Sequence, residues 1–147
     1  MNIRLCNDYE LGKVANLNRE FVEEKICNGI TLDTIDYLKG QIVFVIEEKG
    51  EIVGYAYGNI KEAEKDTSYV HKGEKCFNLE EMYIKKPYRN RGMGKKLFEQ
   101  LEDYAKHNDC SNIQVIAVSK SYEKLLKFYI INLGFDFLYA HLIKKID

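Results

Sequence analysis

The stretch Leu79 to Lys96 constrains the fold of this 147-residue chain more than any other. It reads Leu-Glu-Glu-Met-Tyr-Ile-Lys-Lys-Pro-Tyr-Arg-Asn-Arg-Gly-Met-Gly-Lys-Lys. Its first half is a short run with apolar and aromatic residues, the pattern of a β-strand. Pro87 has no amide to donate to a sheet ladder, so the strand should stop near Lys86. A basic loop with two glycines follows, Arg89-Asn90-Arg91-Gly92-Met93-Gly94. Beyond it Leu97, Phe98, Leu101 and Ala105 recur at helical spacing. The unit is strand, glycine loop, helix.

A helix start presents unpaired amides and positive dipole character. Glycines let an anion approach those amides with no Cβ in the way. Arg89, Arg91, Lys95 and Lys96 add charge. The arrangement predicts a phosphate cradle, above all for a pyrophosphate. It is not a Walker loop, because Gly94-Lys95 is followed by Lys96 rather than Ser or Thr, and the earlier glycine is missing. It is not a dinucleotide fingerprint, because Leu97 stands where the third glycine belongs. An Arg-x-x-Gly-x-Gly loop after a strand resembles the acyl-CoA-binding motif of the GNAT superfamily of N-acetyltransferases.

Phe128-Tyr129 followed by Gly134-Phe135 resembles a second motif of those enzymes, so the likeness runs from about Val43 to Phe135. Two positions depart from it. Tyr122 stands where many members have Asn, and one extra residue separates Tyr129 from Gly134. The resemblance implies an α/β (α+β) fold in one domain, residues 1–147. Its mixed, mostly antiparallel sheet would have six to seven strands and helices on both faces, with parallel strands splayed at the acyl-CoA site. It implies acetyl-CoA as cosubstrate, no metal, and direct transfer to a primary amine. Backbone around Met82, Tyr83 and Ile84 would bind the pantetheine arm and the thioester oxygen. Arg89, Asn90, Arg91, Gly92, Met93, Gly94 and Lys95 would hold the pyrophosphate.

The chemistry asks for a base and an acid. An alkyl ammonium has a pKa near ~10.4 and must lose a proton before it can attack. Glu80 and Glu81 are the carboxylates beside the strand, and strict alternation would turn only one to the acceptor. Leu-Glu-Glu-Met-Tyr-Ile is similar to a run in diamine acetyltransferases, which selects Glu80 as the base. Tyr129, with a phenol pKa near ~10, is the candidate acid for the departing thiolate. A small cationic acceptor is the leading reading. The alternatives are a protein N-terminus or lysine as acceptor, or a non-catalytic acyl-CoA sensor.

The rest of the chain is consistent with one soluble domain. Apolar residues make up 46% and the net charge is −1, which gives no general pull toward nucleic acid or a membrane surface. No apolar run reaches the roughly 18 residues of a membrane span, and the N-terminus lacks a signal-peptide core. Cys6, Cys27, Cys76 and Cys110 are dispersed, as expected of reduced thiols in a cytoplasmic protein rather than metal ligands. A homodimer is common among similar proteins.

In chain order, Ile3 to Cys6 reads as a strand, and Leu11 to Ile26 as an amphipathic helix. Thr31 to Leu38 reads as a short helix ending at Gly40. Ile42–Glu47 and Ile52–Ile60 read as a hairpin turning at Glu48-Lys49-Gly50-Glu51. Gly54 and Gly58 suggest bulges or close approach within it. Lys61 to Lys75 reads as a long loop, in which His71 is an ordinary solvated residue. Ile113 to Val118 reads as a strand buried on both faces, and Phe135 to Ile143 as a final strand.

Overall fold

The computed structural model describes residues 1–146. Five strands lie in chain order in one sheet: β1 (Asn2–Leu5), β2 (Ile42–Glu48), β3 (Glu51–Glu62), β4 (Lys75–Ile84) and β5 (Cys110–Val115). The first three pairings are antiparallel, and β4 pairs with β5 in parallel. Helices α1 (Leu11–Glu24) and α2 (Ile35–Lys39) cover one face, while α3 (Met93–His107) covers the other. A short helix α4 (Tyr122–Leu126) runs into a π-helical turn at Lys127–Asn132.

The two cores follow from side-chain alternation. Along β2, Val43 and Val45 pack under α1 with Leu11, Val14, Leu17 and Phe21. Phe44 and Ile46 pack on the opposite face with Leu97, Phe98 and Leu101 of α3. A strand buried on both faces reads as a continuous apolar run, as β2 does. The β2–β3 turn has positive φ at both Lys49 (51°) and Gly50 (81°), the conformation that matches hairpin twist. Arg4 ties the sheet edge together, donating to Glu10 at 2.8 and 2.9 Å and to Glu47 at 2.8 Å.

Three expectations are corrected. The sheet has five strands among the described residues, not six to seven, because Phe135 to Ile143 forms no regular structure. That segment has strand-like composition, but a strand exists only where a neighbour supplies the ladder. The strand expected at Ile113–Val118 lies at Cys110–Val115, and Ile116 is exposed, because the β4 ladder gives it no partner beyond Leu79. Alternation also fails at the glutamate pair. Tyr57 pairs with Glu81 and Gly58 with Leu79, so Glu80 is the extra residue of a β-bulge.

The bulge explains Gly58. A Cβ there would lie 2.1 Å from the Asn78 carbonyl oxygen and 2.7 Å from the Phe77 ring. Backbone cannot give way as a flexible side chain can. Gly58→Ala should cost about 3 kcal/mol, the upper part of the range for overpacking. Urea unfolding measures it, and a change under about 0.5 kcal/mol would mean that the strands do not approach this closely.

Candidate active site

The site begins where β4 and β5 part. Their ladder ends at Leu79–Val115, whereas β4 stays paired with β3 as far as Gly54–Ile84. The last five residues of β4 therefore have an open edge on the β5 side. The Lys85 amide donates to Val53 of β3 at 2.9 Å. By alternation the amides of Tyr83 and Glu81 point the same way, and those of Met82 and Ile84 point into the opening. These two donors are placed to hold an extended amide-bearing chain or a carbonyl oxygen. The Tyr83 side chain points elsewhere, stacking on Phe21 at 4.9 Å and donating to Glu24 at 2.7 Å.

The glycine loop follows directly. Pro87 lies in a 3₁₀ turn at Lys86–Tyr88, and Asn90 (φ 60°) and Gly92 (φ 73°) are left-handed. The first backbone bond of α3 runs from Lys96 to Gly92 at 3.2 Å. Among the described residues the amides of Asn90 to Lys95 donate to no partner. They form a run of free donors at the positive end of a 15-residue helix. Nothing lies within 4 Å of a Cβ built on Gly92, so an anion can reach them. Gly94 serves packing instead, since its Cβ would meet the Phe128 ring at 3.3 Å.

The charged side chains divide their work. Arg89 donates to the Ile84 carbonyl and to Glu24, each at 2.7 Å, and lies over Tyr83. It braces the loop against β4 and α1. Burial of Glu24 opposes its ionisation, but the Arg89 and Tyr83 donors outweigh it and hold its carboxyl below the usual range. Arg91 lies over the Tyr88 ring, and Lys95 and Lys96 are exposed beside the free amides. The donors and charges fit a pyrophosphate, which Arg91 and Lys95 would flank. Gly92→Glu would set a carboxylate among these amides. Its folding cost should be about 1–2 kcal/mol for a left-handed side chain, while thermal stabilisation by CoA should vanish. An unchanged shift with CoA would place the pyrophosphate elsewhere.

The carboxylates gather on the α1–α2 face. Because of the bulge, Glu80 and Glu81 both turn to it. Glu80 is exposed and accepts from the Tyr37 hydroxyl and from Asn59 at 2.7 Å. Glu81 is buried and accepts from the Tyr55 hydroxyl and from Asn18 at 3.0 Å. Asp33 accepts from the Tyr57 hydroxyl at 2.7 Å. Burial pushes the Glu81 and Asp33 carboxyls up, with neighbouring carboxylates adding to it. The Tyr37 hydroxyl, bonded to Glu80, is pushed up to about 12.

Asn18 holds this cluster to the loop before α2. It is fully buried on α1, donates to Thr31 O at 3.3 Å and accepts from the Asp33 amide at 2.8 Å. Sequence reading passed over Asn18, Tyr37, Tyr55, Tyr57 and Asn59. The usable signals were a polar residue inside the apolar stripe of α1 and the alternating Tyr55-Ala56-Tyr57 of β3.

Tyr129 lies on the far side of the opening. It is buried between Phe128 and Phe135, and its hydroxyl makes no hydrogen bond among the described residues. Burial, then the Cys27 thiol, push it up to about 12, so it stays protonated at neutral pH. The extra residue before Gly134 is taken up by the π-helical turn, in which the Leu133 amide bonds Phe128 O at 3.1 Å. Cys27 bridges the two sides. It pairs with Ser119 just beyond β5, and Asn28 donates to Val118 O at 2.9 Å. Burial and then Glu81 raise its thiol.

Because Glu81 titrates high when folded, its share of stability is complete below its unfolded pKa and is lost as pH rises through the folded one. Glu81→Gln should remove that loss. The stability of the variant relative to wild type should rise as pH is raised above about 4.5, measured by urea unfolding. A constant difference would show that Glu81 is not desolvated.

Comparison with known proteins decides the family. The model of the acetyltransferase (GNAT) family matches residues 7–135. The chain belongs to the GNAT acetyltransferase family. It is an N-acetyltransferase that uses acetyl-CoA. Solved structures share the fold at low identity. A ribosomal-protein-alanine N-acetyltransferase from Brucella melitensis biovar Abortus 2308 superposes with TM-score 0.74 at 16% identity, covering 98% of each chain. An aminoglycoside acetyltransferase from an uncultured soil metagenomic sample gives 0.74 at 18%, covering 99% of this chain and 96% of its own. A predicted acetyltransferase with acetyl-CoA from Clostridium acetobutylicum gives 0.73 at 19%, covering 98% and 95%. No curated protein matches significantly.

Proposed function

We propose that this acetyltransferase acetylates the primary amine of a small cationic molecule in the cytoplasm, by direct transfer. The bulge at Glu80 carries the reading. It turns two adjacent carboxylates to one face, where Asp33 joins them, beside the opening between β4 and β5. A cation is the natural guest of such a face. The acceptors in the names of the aminoglycoside-modifying neighbours are small and amine-bearing, which agrees.

Acetyl-CoA supplies the acetyl thioester. Glu80 is reachable from solvent and takes the ammonium proton, directly or through water. Tyr37 and Asn59 aim its carboxylate. Glu81, sealed and already holding two donors, fastens Asn18 and the Tyr55 hydroxyl. The amides of Met82 and Ile84 orient the carbonyl and the pantetheine arm. Tyr129 returns a proton to sulfur as the C–S bond breaks and the C–N bond forms. A hydroxyl with no internal partner is free to do so.

The test is release of CoA, followed by chromatography, across polyamines, aminoglycosides, amino acids and short peptides. Small polycations should turn over, and preference for peptides would move the acceptor to a protein amine. Glu80→Gln should lower kcat by about 10²-fold or more, within the range of general-base loss. Tyr129→Phe should lower it about 10-fold, with CoA affinity preserved in both. Full turnover in both would refute these roles, and a larger loss in Glu81→Gln would make Glu81 the base.

A further inference from the structure

A strap crosses the opening between β4 and β5. Residues 26–28, just after α1, pair with residues 118–120, just beyond β5. Cys27 forms a bridge with Ser119, the Asn28 amide donates to Val118 O, and the Lys120 amide donates to Ile26 O, both bonds at 2.9 Å. The strap sets the half-buried Cys27 thiol over the gap that the two strands leave. Cys27 packs against the core on the α1 face, whereas Tyr129 belongs to the core on the α3 face. Groups from the two faces of a sheet meet only where the sheet is open. Tyr129 is 8% exposed, and its hydroxyl has no hydrogen-bond partner among the described residues. The Cys27 thiol is the titrating group that acts on it, so the hydroxyl is aimed through the gap at that thiol. A buried hydroxyl left unpaired is costly, and its position marks a place for a group that arrives with a ligand. The other thiols lie elsewhere. Cys6 follows β1 and donates to Asn7 O, and Cys76 and Cys110 lie where β4 and β5 are still paired.

We propose that Cys27 is an acetylation site, whose sulfur takes the acetyl group from acetyl-CoA when no amine is bound. This rests on the reading of the opening as the seat of the thioester, with its carbonyl on the Met82 and Ile84 amides and its sulfur beside Tyr129. The Cys27 sulfur adds to the carbonyl carbon as its proton leaves to solvent. The new C–S bond forms, the C–S bond to CoA breaks, and Tyr129 gives the CoA sulfur a proton that solvent replaces. One thiol and one thioester become another thiol and another thioester. No oxidant or reductant enters, and because the bonds made and broken are alike, excess CoA reverses the step. Burial, then Glu81, keep the thiol protonated, and the thiolate is the nucleophile. The exchange is therefore slow, and a bound amine reaches the same carbon first.

The experiment is mass spectrometry of the full chain, intact and as peptides, after incubation with acetyl-CoA and no amine. Wild type should gain one acetyl group on the peptide that holds Cys27, removed by neutral hydroxylamine or by excess CoA. Cys27→Ala should lose the label entirely while acetyl-CoA still raises its melting temperature, which shows that the domain folds and binds. Tyr129→Phe should be labelled more slowly than wild type. Equal labelling of Cys6, Cys76 and Cys110 would overturn the proposal, because it would reflect thiol chemistry without a site. An unlabelled wild type that acetyl-CoA still stabilises overturns it too, and leaves the cofactor reading intact. A wild type that acetyl-CoA does not stabilise overturns the cofactor reading and the proposal with it.

Discussion

The site depends on one register shift. Between Leu79 and Glu81 the β4 strand gains a residue relative to β3. At the same point it loses β5 as a neighbour. The two events belong together, because an extra residue increases local twist and carries the strand away from a parallel partner. One consequence is an opening lined by free amides. The other is that adjacent side chains, which ordinary pleating would send to opposite faces, share one. Gly58 is the counterpart on β3, because only a residue without Cβ lets the partner backbone come so near.

Charge is then sorted along the same strand. At its C-terminal end the glycine loop brings free amides together with Arg91, Lys95 and Lys96. On the α1–α2 face, Glu80, Glu81 and Asp33 lie together. Between the loop and α1, Arg89 and Glu24 pair at 2.7 Å. The chain therefore presents two charged surfaces of opposite sign with an overall charge of −1.

The α2 segment is held by hydrogen bonds as well as by Leu38 in the core. Helix α2 has only five residues, too few to be stable alone. Its loop is fastened through Asn18 to Glu81 and through Asp33 to Tyr57, while Cys27 and Asn28 pair with the chain beyond β5. Loops held in this way open at lower free energy than the sheet.

The glycine loop at the start of α3 was legible in the chain because it is local. Strand, proline, two glycines and an amphipathic helix are contiguous, and their meaning needs only short-range geometry. The hairpin at Lys49-Gly50 and the family likeness of Tyr129 were legible for the same reason. The polar cluster on the α1–α2 face was not. Asn18, Asp33, Tyr37, Tyr55, Tyr57, Asn59 and Glu81 come from four separate segments, and nothing local marks their meeting. The bulge was hidden because a register depends on the partner strand. Sequence composition also promised a last strand at Phe135–Ile143, but composition gives only the capacity to pair. Whether a ladder forms is decided by which edge comes alongside, and that is a property of the tertiary structure.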